Sequence, residues 1–175
     1  MNVMDAIKNR REITKYQNKP IAKEELEKLL NAGYFAPAGN NLPSREFILV
    51  TNRDTLQHLS QSTPFVPWLA DAQAAIVITG RPDISKYWLQ DASIAGGFIW
   101  LTAADLNIGA AFGAVYHAED AAESKRREDF VRDALVIPND RRVIAILGFG
   151  YPEEELSAKQ LPPRESIIKY GQFTD

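Results

Sequence analysis

The chain has 175 residues, of which 45% are hydrophobic and 25% are charged, and its formal net charge is −3. This composition is typical of one ordinary globular domain, and the small negative charge argues against binding to nucleic acid or to an anionic membrane. With no cysteine and only two histidines, His58 and His117, the sequence excludes disulfides, thiolate nucleophiles and cysteine-bound metals, and we expect no metal site.

Hydropathy and the N-terminal sequence predict a cytoplasmic protein. The first residues, Met-Asn-Val-Met-Asp, contain no apolar signal core, which a secreted protein would need. No window approaches the roughly 18 uninterrupted apolar residues of a transmembrane helix. We therefore expect a cytoplasmic enzyme or binding domain that does not span a membrane.

The first predicted helix carries Val3, Met4 and Ile7 on one face and leads into Arg10 and Arg11. Two adjacent arginines at a helix end are either a solvated charge cluster or an anion clamp. The second interpretation follows from the planar guanidinium, which matches the geometry of a phosphate group. The residues alone leave both interpretations open.

A second helix is predicted over residues 23–32, with leucines on its inner face and Gly33 as its C-terminal cap. The loop that follows, residues 34–46, is rich in proline, glycine and asparagine and carries no charge before Arg45. Such a loop is either a surface connection or, because small residues allow a close backbone approach, a contact surface for a flat ligand.

Apolar runs predict three buried strands, at residues 47–51, 74–79 and 143–149. A fourth run of small residues, 110–115, is also strand-like. Residues 119–135 are predicted to form a charged surface helix.

The central helix, Asp91 to Asn107, carries apolar residues on every face. A helix of this kind must be buried on all sides. Gly96 and Gly97 lie in its middle, where each costs about 1 kcal/mol relative to alanine, a cost that is tolerable if another backbone comes very close. A second subunit is therefore expected to supply part of the cover.

The last segment, residues 153–175, is polar and rich in proline, with Ile167, Ile168 and Tyr170 as its apolar anchors. An arm of this composition either frays or docks onto a partner.

Few residues offer chemistry of their own. The Gly148-Phe149-Gly150 segment lacks the third glycine of a dinucleotide-binding loop, and neither a Gly-x-Ser-x-Gly nor a phosphate-binding Gly-x-x-x-x-Gly-Lys motif occurs. Nucleophilic hydrolysis therefore has few possible participants. A reaction carried by a cofactor needs no such group and stays open.

Five segments carry a resemblance to a known family. Residues 10–16, Arg-Arg-Glu-Ile-Thr-Lys-Tyr, are similar to an Arg-Arg-Ser-Ile-Arg-x-Phe motif, and residues 36–47 to an Ala-Pro-Ser-x-x-Asn-x-Gln-Pro-[Trp/Arg]-x-Phe motif. Residues 87–92 are similar to the start of a central helix, residues 106–115 to a Leu-Gly-Leu-Gly-x-Cys-Trp motif and its continuation, and residues 148–152 to a closing Gly-Tyr-Pro. In this order, the motifs resemble those of the nitroreductase family of FMN-dependent oxidoreductases.

The resemblance implies an α+β fold, with a mixed central sheet flanked by helices, in a single domain over residues 1–175. It implies an intertwined homodimer with the central helices at the interface and residues 153–175 docked on the partner subunit. It also implies two FMN sites between the subunits. The activity implied is hydride transfer from NAD(P)H through FMN to a nitroaromatic, quinone or similar acceptor, with no catalytic side chain.

The same resemblance assigns residues to the FMN site. Arg10, Arg11 and the backbone near Glu12 and Thr14 would hold the phosphate and the ribityl chain. Arg164 or, less favoured, Lys159 from the C-terminal arm would complete the phosphate clamp. Those that would approach the flavin of the other subunit are Pro37, Ala38, Gly39 and Asn41. The backbone of Gly113 and Ala114 would lie at the reactive N5 atom.

Departures from the family motifs keep other functions open. Glu12 replaces the usual serine and Thr14 a usual arginine, and Pro43-Ser44 replaces Gln-Pro. A carboxylate beside a phosphate is repulsive unless it turns back to a neighbouring cation, so Glu12 predicts weaker FMN binding than is typical. The alternatives are a flavin-binding or ligand-free module without turnover, and an enzyme that reduces or modifies FMN as its substrate.

Overall fold

The computed structural model of the protein describes residues 2–154 and 159–173. The helices and strands in chain order are α1 (Val3–Asn9), α2 (Lys23–Phe35), β1 (Arg45–Val50), α3 (Arg53–Leu59), β2 (Ala74–Gly80), α4 (Trp88–Asp105), β3 (Gly109–Ala114), α5 (Ala121–Leu135), β4 (Arg142–Gly150) and α6 (Arg164–Ile167). The parts of the predicted arm at residues 155–158 and 174–175 lie outside the described residues.

The strands form one sheet in the order β1-β2-β4-β3, and each neighbouring pair is antiparallel. The two central strands are buried along almost their whole length. Strand β3 is an edge strand, and the segment after α1 lies along it. A parallel bridge joins Glu12 to Ala110, and the Ile13 N–H donates to the Ala110 carbonyl at 3.0 Å. This bridge adds a parallel pairing to the antiparallel sheet.

Alternating side chains of the sheet feed two cores, one on each face. On strand β2, Ile76 and Ile78 join the core that packs against α2 and α4. Val77, between them, joins the core that packs against α3 and α5. Because successive strand residues point to opposite faces, one apolar strand serves both layers. The result is the predicted α+β arrangement, in which helices flank the sheet.

Helix α4 is buried on one side within the described part of this chain, and the predicted cover of its other side by a second subunit stays a prediction. Its inner face is buried and includes Ala95, Gly96 and Ile99. On the opposite face, Ile94 and Phe98 are each 43% exposed. The apolar residues lie on every face, as the sequence indicates, but residues 2–154 and 159–173 bury only one side of the helix.

Gly33 differs from its prediction. It was expected to cap α2, but the helix continues to Phe35 and Gly33 is buried inside it. A Cβ atom at Gly33 would lie 2.9 Å from Ile99 Cδ1 and 2.9 Å from Phe47 Cζ. The residue is a glycine because α4 and β1 pack closely against it.

Within the described part of the chain, no helix combines the length and the apolar character needed to cross a membrane.

Candidate functional site

Basic side chains gather at the C-terminal end of α1. Arg11 Nη1 donates to the carbonyls of Lys8 at 2.8 Å and of Asn9 at 3.0 Å. Lys159, from the C-terminal arm, donates through Nζ to the carbonyl of Ile7 at 3.1 Å. The last carbonyls of a helix attract cations because they lack partners in the helix and carry its negative dipole end. The end of α1 thus positions positive charge from two distant parts of the sequence.

Arg10, Arg11 and Lys159 form what we call the basic cluster. Burial and the neighbouring charges of Arg10 and Arg11 lower the pKa of Lys159. Of the two C-terminal candidates, Lys159 is therefore the one that joins the arginine pair within a single chain. Arg164 instead donates to the Tyr170 hydroxyl at 2.9 Å, and its part in an FMN site stays a prediction.

Trp100 of α4 connects the basic cluster to the core. The guanidinium of Arg10 lies over the indole ring, 4.5 Å from its centroid. The indole Nε1 donates to the Arg11 carbonyl at 3.1 Å. The ring also stacks on Phe112 of β3, with centroids 6.0 Å apart and planes 12° from parallel. The sequence predicted only a packing role for Trp100, since nothing in its neighbourhood along the chain indicates a contact with the arginines.

Glu12 is directed at the edge of the sheet. Its Oε1 accepts from the Phe112 N–H at 3.4 Å, while Lys15 pairs with Glu154 at 2.7 Å. The sequence predicted repulsion unless the carboxylate turned back to a neighbouring cation. The structure instead gives this carboxylate a backbone donor on β3.

Tyr16 fixes the segment that follows α1 against strand β4. Its hydroxyl donates to the Ile13 carbonyl at 2.5 Å and also lies 3.3 Å from the Gly148 carbonyl. Burial, with a smaller effect of the Glu12 charge, raises the pKa of Tyr16, so the hydroxyl keeps its proton and stays a donor. Thr14, between the two, is exposed.

A small cavity lies beneath this segment. Its volume is about 110 Å³, well below the roughly 300–1,000 Å³ of pockets that enclose drug-sized ligands. The residues that line it are Arg11, Ile13, Trp100, Asn107, Ile108, Gly109, Ala110 and Pro152. It is large enough for a small anionic group but does not enclose a flavin.

The open end of β3 carries the two residues predicted to face N5 of the flavin. Gly113 is buried, and a Cβ atom there would lie 2.4 Å from Val66 Cγ1. Backbone groups of an antiparallel edge strand alternate between the neighbouring strand and the open side. Since Ala110 and Phe112 bond outward to residues 12 and 13, the Ala114 N–H also points outward.

The loop between α2 and β1 is held by a residue that the sequence did not single out. Asp91, only 3% exposed, accepts from the Gly39 N–H at 2.9 Å and from the Ser44 hydroxyl at 2.5 Å. A Cβ atom at Gly39 would lie 2.4 Å from a ring carbon of Tyr87, which explains the glycine. An acidic residue in the first turn of an apolar helix was the available signal.

The loop and the basic cluster attach to different parts of α4. Asp91 and Trp100 are nine residues apart, which is roughly 14 Å along a helix axis. The predicted loop residues are Pro37, Ala38, Gly39 and Asn41; Pro37 and Asn41 are exposed, and the other two are partly buried. Their predicted contact with the flavin of another subunit is not tested by a single chain.

Known proteins resemble the chain in sequence and in structure. The sequence model of the nitroreductase family matches residues 7–64. A protein of Methanothermobacter thermautotrophicus named "Putative NADH dehydrogenase/NAD(P)H nitroreductase" is 33% identical over a match that covers 97% of this chain and 88% of that protein. These matches include both the arginine segment and the glycine-containing loop.

Solved structures agree with the fold. An FMN-dependent nitroreductase from Clostridium difficile R20291 is 30% identical and superimposes with a TM-score of 0.88, over 97% of this chain and 99% of the other. A structure from Bacteroides thetaiotaomicron, which bears the same name as the Methanothermobacter protein, gives a TM-score of 0.89 at 30% identity, over 98% of both chains. The predicted fold class is thereby confirmed.

Proposed function

The chain belongs to the nitroreductase family, and on that premise we propose that it is an FMN-dependent oxidoreductase that takes hydride from NAD(P)H and reduces a small acceptor such as a nitroaromatic or a quinone. The single observation that carries the proposal is the basic cluster beside the open edge of β3. A binding module without turnover is the alternative, and the carboxylate of Glu12 close to the cluster is the feature that favours it.

The charges of the cluster fit the phosphate of FMN. Burial lowers the pKa of Lys159, and the charges of Arg10 and Arg11 lower it further, so both arginines repel the lysine. A dianionic phosphate relieves this repulsion and receives charge-assisted hydrogen bonds. In the proposed site, Arg10, Arg11 and Lys159 hold the phosphate.

The rest of the segment fits the sugar chain and the ring. Glu12 and Thr14 lie next to the cluster along the edge of β3, where the ribityl chain would run. Beyond them, the Ala114 N–H is a fixed donor on the open side of the strand, and Gly113 adds no side chain. When bound, FMN supplies the hydride chemistry, and the residues of this chain bind it, orient it and place a backbone donor at its ring.

We also propose that the working form is a homodimer. Apolar side chains of α1, α2 and α4 are exposed together, including Val3 at 72%, Phe35 at 74% and Phe98 at 43%. They border a groove of about 440 Å³ that Ala6 and Leu101 also line. An exposed apolar surface of this extent is typical of an interface. A second copy fits it, because two α4 helices can approach closely where Gly97 has no side chain.

The C-terminal arm supports the same proposal. Leu161, Ile167, Tyr170 and Phe173 are all more than two-thirds exposed, although apolar residues of this size are normally covered. Docking of each arm on the partner would bury them. We expect an interface larger than about 2,000 Å², the usual size for obligate homodimers.

The experiment begins with purified protein from which flavin has been removed. We expect added FMN to restore the visible absorption band of a bound oxidised flavin. NADH or NADPH should then bleach the band without oxygen, and a quinone should restore it. Failure to take up FMN would overturn the proposal, whereas a bound flavin that neither nucleotide reduces would support the binding module.

A further inference from the structure

Trp100 contacts both arginines of the basic cluster, and through different chemical groups. The face of the indole lies under the Arg10 guanidinium, with the guanidinium carbon 4.5 Å from the ring centroid. The edge of the indole donates to the Arg11 main-chain carbonyl at 3.1 Å. A single side chain therefore fixes the side chain of one arginine and the backbone of the next.

The segment that Trp100 holds has little regular structure of its own. After α1 ends at Asn9, residues 10–15 form no helix, and a single bridge at Glu12 joins them to β3. Adjacent arginines with flexible side chains lose conformational entropy when they are ordered, and they also repel each other. A contact that fixes them before the anion arrives lowers both costs at the moment of binding.

Trp100 is itself held from two directions. It belongs to α4, the longest helix described, and its ring stacks on Phe112 of β3. The N–H of Phe112 is in turn bound by Glu12. The arginine segment is thus connected to both the helix and the edge strand through contiguous contacts, and Trp100 is their common member.

We propose that Trp100 is a positioning residue for the phosphate end of the ligand site, ordering Arg10 through its ring face and Arg11 through its N–H. The proposal rests on the proposed function for the identity of the ligand, a flavin that bears a phosphate. It does not give Trp100 a chemical role. The affinity of the site for the phosphate therefore depends on an aromatic ring with an N–H donor at position 100 of α4.

Two substitutions separate the two contacts. Trp100→Phe keeps an aromatic face for Arg10 and removes the N–H donor to Arg11. Trp100→Leu keeps an apolar side chain and removes both. From the strength of cation–π contacts and of net hydrogen bonds, we expect the preference for FMN over riboflavin to fall about threefold in the first variant and about tenfold or more in the second.

The measurement is the affinity of flavin-free protein for FMN and, separately, for riboflavin, followed by quenching of flavin fluorescence. Trp88→Phe is the matched control, because the ring of Trp88 contacts Arg142 and not the basic cluster. The guanidinium carbon of Arg142 lies 5.6 Å from the centroid of the Trp88 ring. The thermal midpoint of each variant reports its folding. The ratio of the two affinities isolates the phosphate, because a general loss of packing weakens both flavins.

The outcomes distinguish this proposal from the proposed function. Wild-type protein that binds neither flavin would refute the function itself. Wild-type protein that prefers FMN, with the same preference in both Trp100 variants, would overturn the positioning role and leave the function intact. If Trp100→Leu fails to fold, Trp100→Phe still tests the N–H contact with Arg11, and the response of Trp100 fluorescence to phosphate tests the ring contact with Arg10.

Inorganic phosphate gives a test that needs no flavin. In protein that carries Trp68→Phe and Trp88→Phe, Trp100 is the single tryptophan left of the three in the sequence. We expect phosphate to change its fluorescence, and Arg10→Ala to abolish the change. A fluorescence that does not respond to phosphate at concentrations that displace FMN would contradict the contact between indole and cluster.

Discussion

The two sides of helix α4 differ in how completely this chain covers them. On the inner side, a Cβ atom at Gly96 would lie 3.3 Å from Ile78 Cδ1 and 3.3 Å from Phe112 Cε2, so neighbours within the chain account for the glycine. On the outer side, a Cβ atom at Gly97 would meet nothing within 4 Å. The two adjacent glycines therefore need different explanations.

The difference between the two sides indicates which parts of the proposed FMN site a single chain can form. The inner side leads through Trp100 to the basic cluster, whose members all come from the same chain. The outer side, with Ile94 and Phe98 each 43% exposed, is only partly covered by the described residues. We infer that recognition of the phosphate is a property of each protomer, and that the cover over the flavin ring depends on a second copy.

The largest expected effect comes from Gly97→Leu. The isolated protomer has room for the side chain, but two helices in close contact do not, and overpacking costs about 1–3 kcal/mol for each subunit. We expect dissociation of the dimer at micromolar concentration and loss of FMN with it, both followed by sedimentation with absorbance detection.

Ala122→Leu, at an exposed position of α5, is the control for that variant and should leave the dimer intact. Wild-type protein that sediments as a monomer with FMN still bound would refute the assignment of the outer side.

On the inner side, Arg10→Ala should weaken FMN binding by about tenfold to a hundredfold, the equivalent of one charge-assisted contact of about 1.5–3 kcal/mol. Riboflavin should be affected less, and the dimer should persist. Equal losses for the two flavins would place the phosphate contacts elsewhere. Arg164→Ala, measured in parallel, shows whether the arm of a partner adds to the same cluster.

The lowered pKa of Lys159 predicts how FMN binding at the basic cluster depends on pH. A lysine whose pKa is lowered loses its proton at lower pH than the ordinary 10.5, and the neutral amine no longer attracts phosphate. The preference for FMN over riboflavin should therefore fall as pH rises, beginning below the range of an ordinary lysine. Lys159→Arg should keep the preference across that range, because arginine stays charged. An identical fall in that variant would exclude Lys159 as its source.

The smallest effect is expected at Glu12. Its carboxylate is exposed, so water screens much of its repulsion for a phosphate, and we expect Glu12→Ser to tighten FMN binding by about threefold to tenfold. Glu12→Gln removes the charge but keeps an oxygen that can accept from the Phe112 N–H. This variant therefore separates the repulsion between carboxylate and phosphate from the hydrogen bond that joins residue 12 to β3. Titration calorimetry that showed weaker binding in both variants would mean that the carboxylate positions the arginines.

The same contrast explains what the sequence could predict. Continuous apolar runs predicted strands β2 and β4 and helix α4, because an apolar segment must be buried somewhere. The run in α4 led to the expectation that a second subunit supplies part of its cover, but it did not show which face of the helix this chain leaves exposed. The predicted role of Gly33 as a helix cap was wrong. A glycine near the end of a helix is expected both at a cap and at a close packing contact, and only the position of the neighbouring helix distinguishes the two.

Long-range pairs limited the prediction of the site. Asp91 binds Gly39 and Ser44 across 52 and 47 positions, and no local pattern indicates such a pairing. Lys159 and Arg164 were both basic residues in a polar arm, and only the path of the arm distinguishes them. The arginine pair was found because its two members are adjacent and resemble a family motif.

The contacts of the basic cluster and of the segment that follows it also have a consequence for the order in which the protein is made. Lys159 reaches back to Ile7 across 152 positions, and Lys15 pairs with Glu154 across 139. During synthesis Arg10 and Arg11 leave the ribosome first, and Glu154 and Lys159 follow only after most of the chain. Closing a loop of that length costs conformational entropy, and this cost is offset only when the contacts of the complete sheet have formed. Within this chain, the basic cluster is therefore complete only after residue 159 has been synthesised.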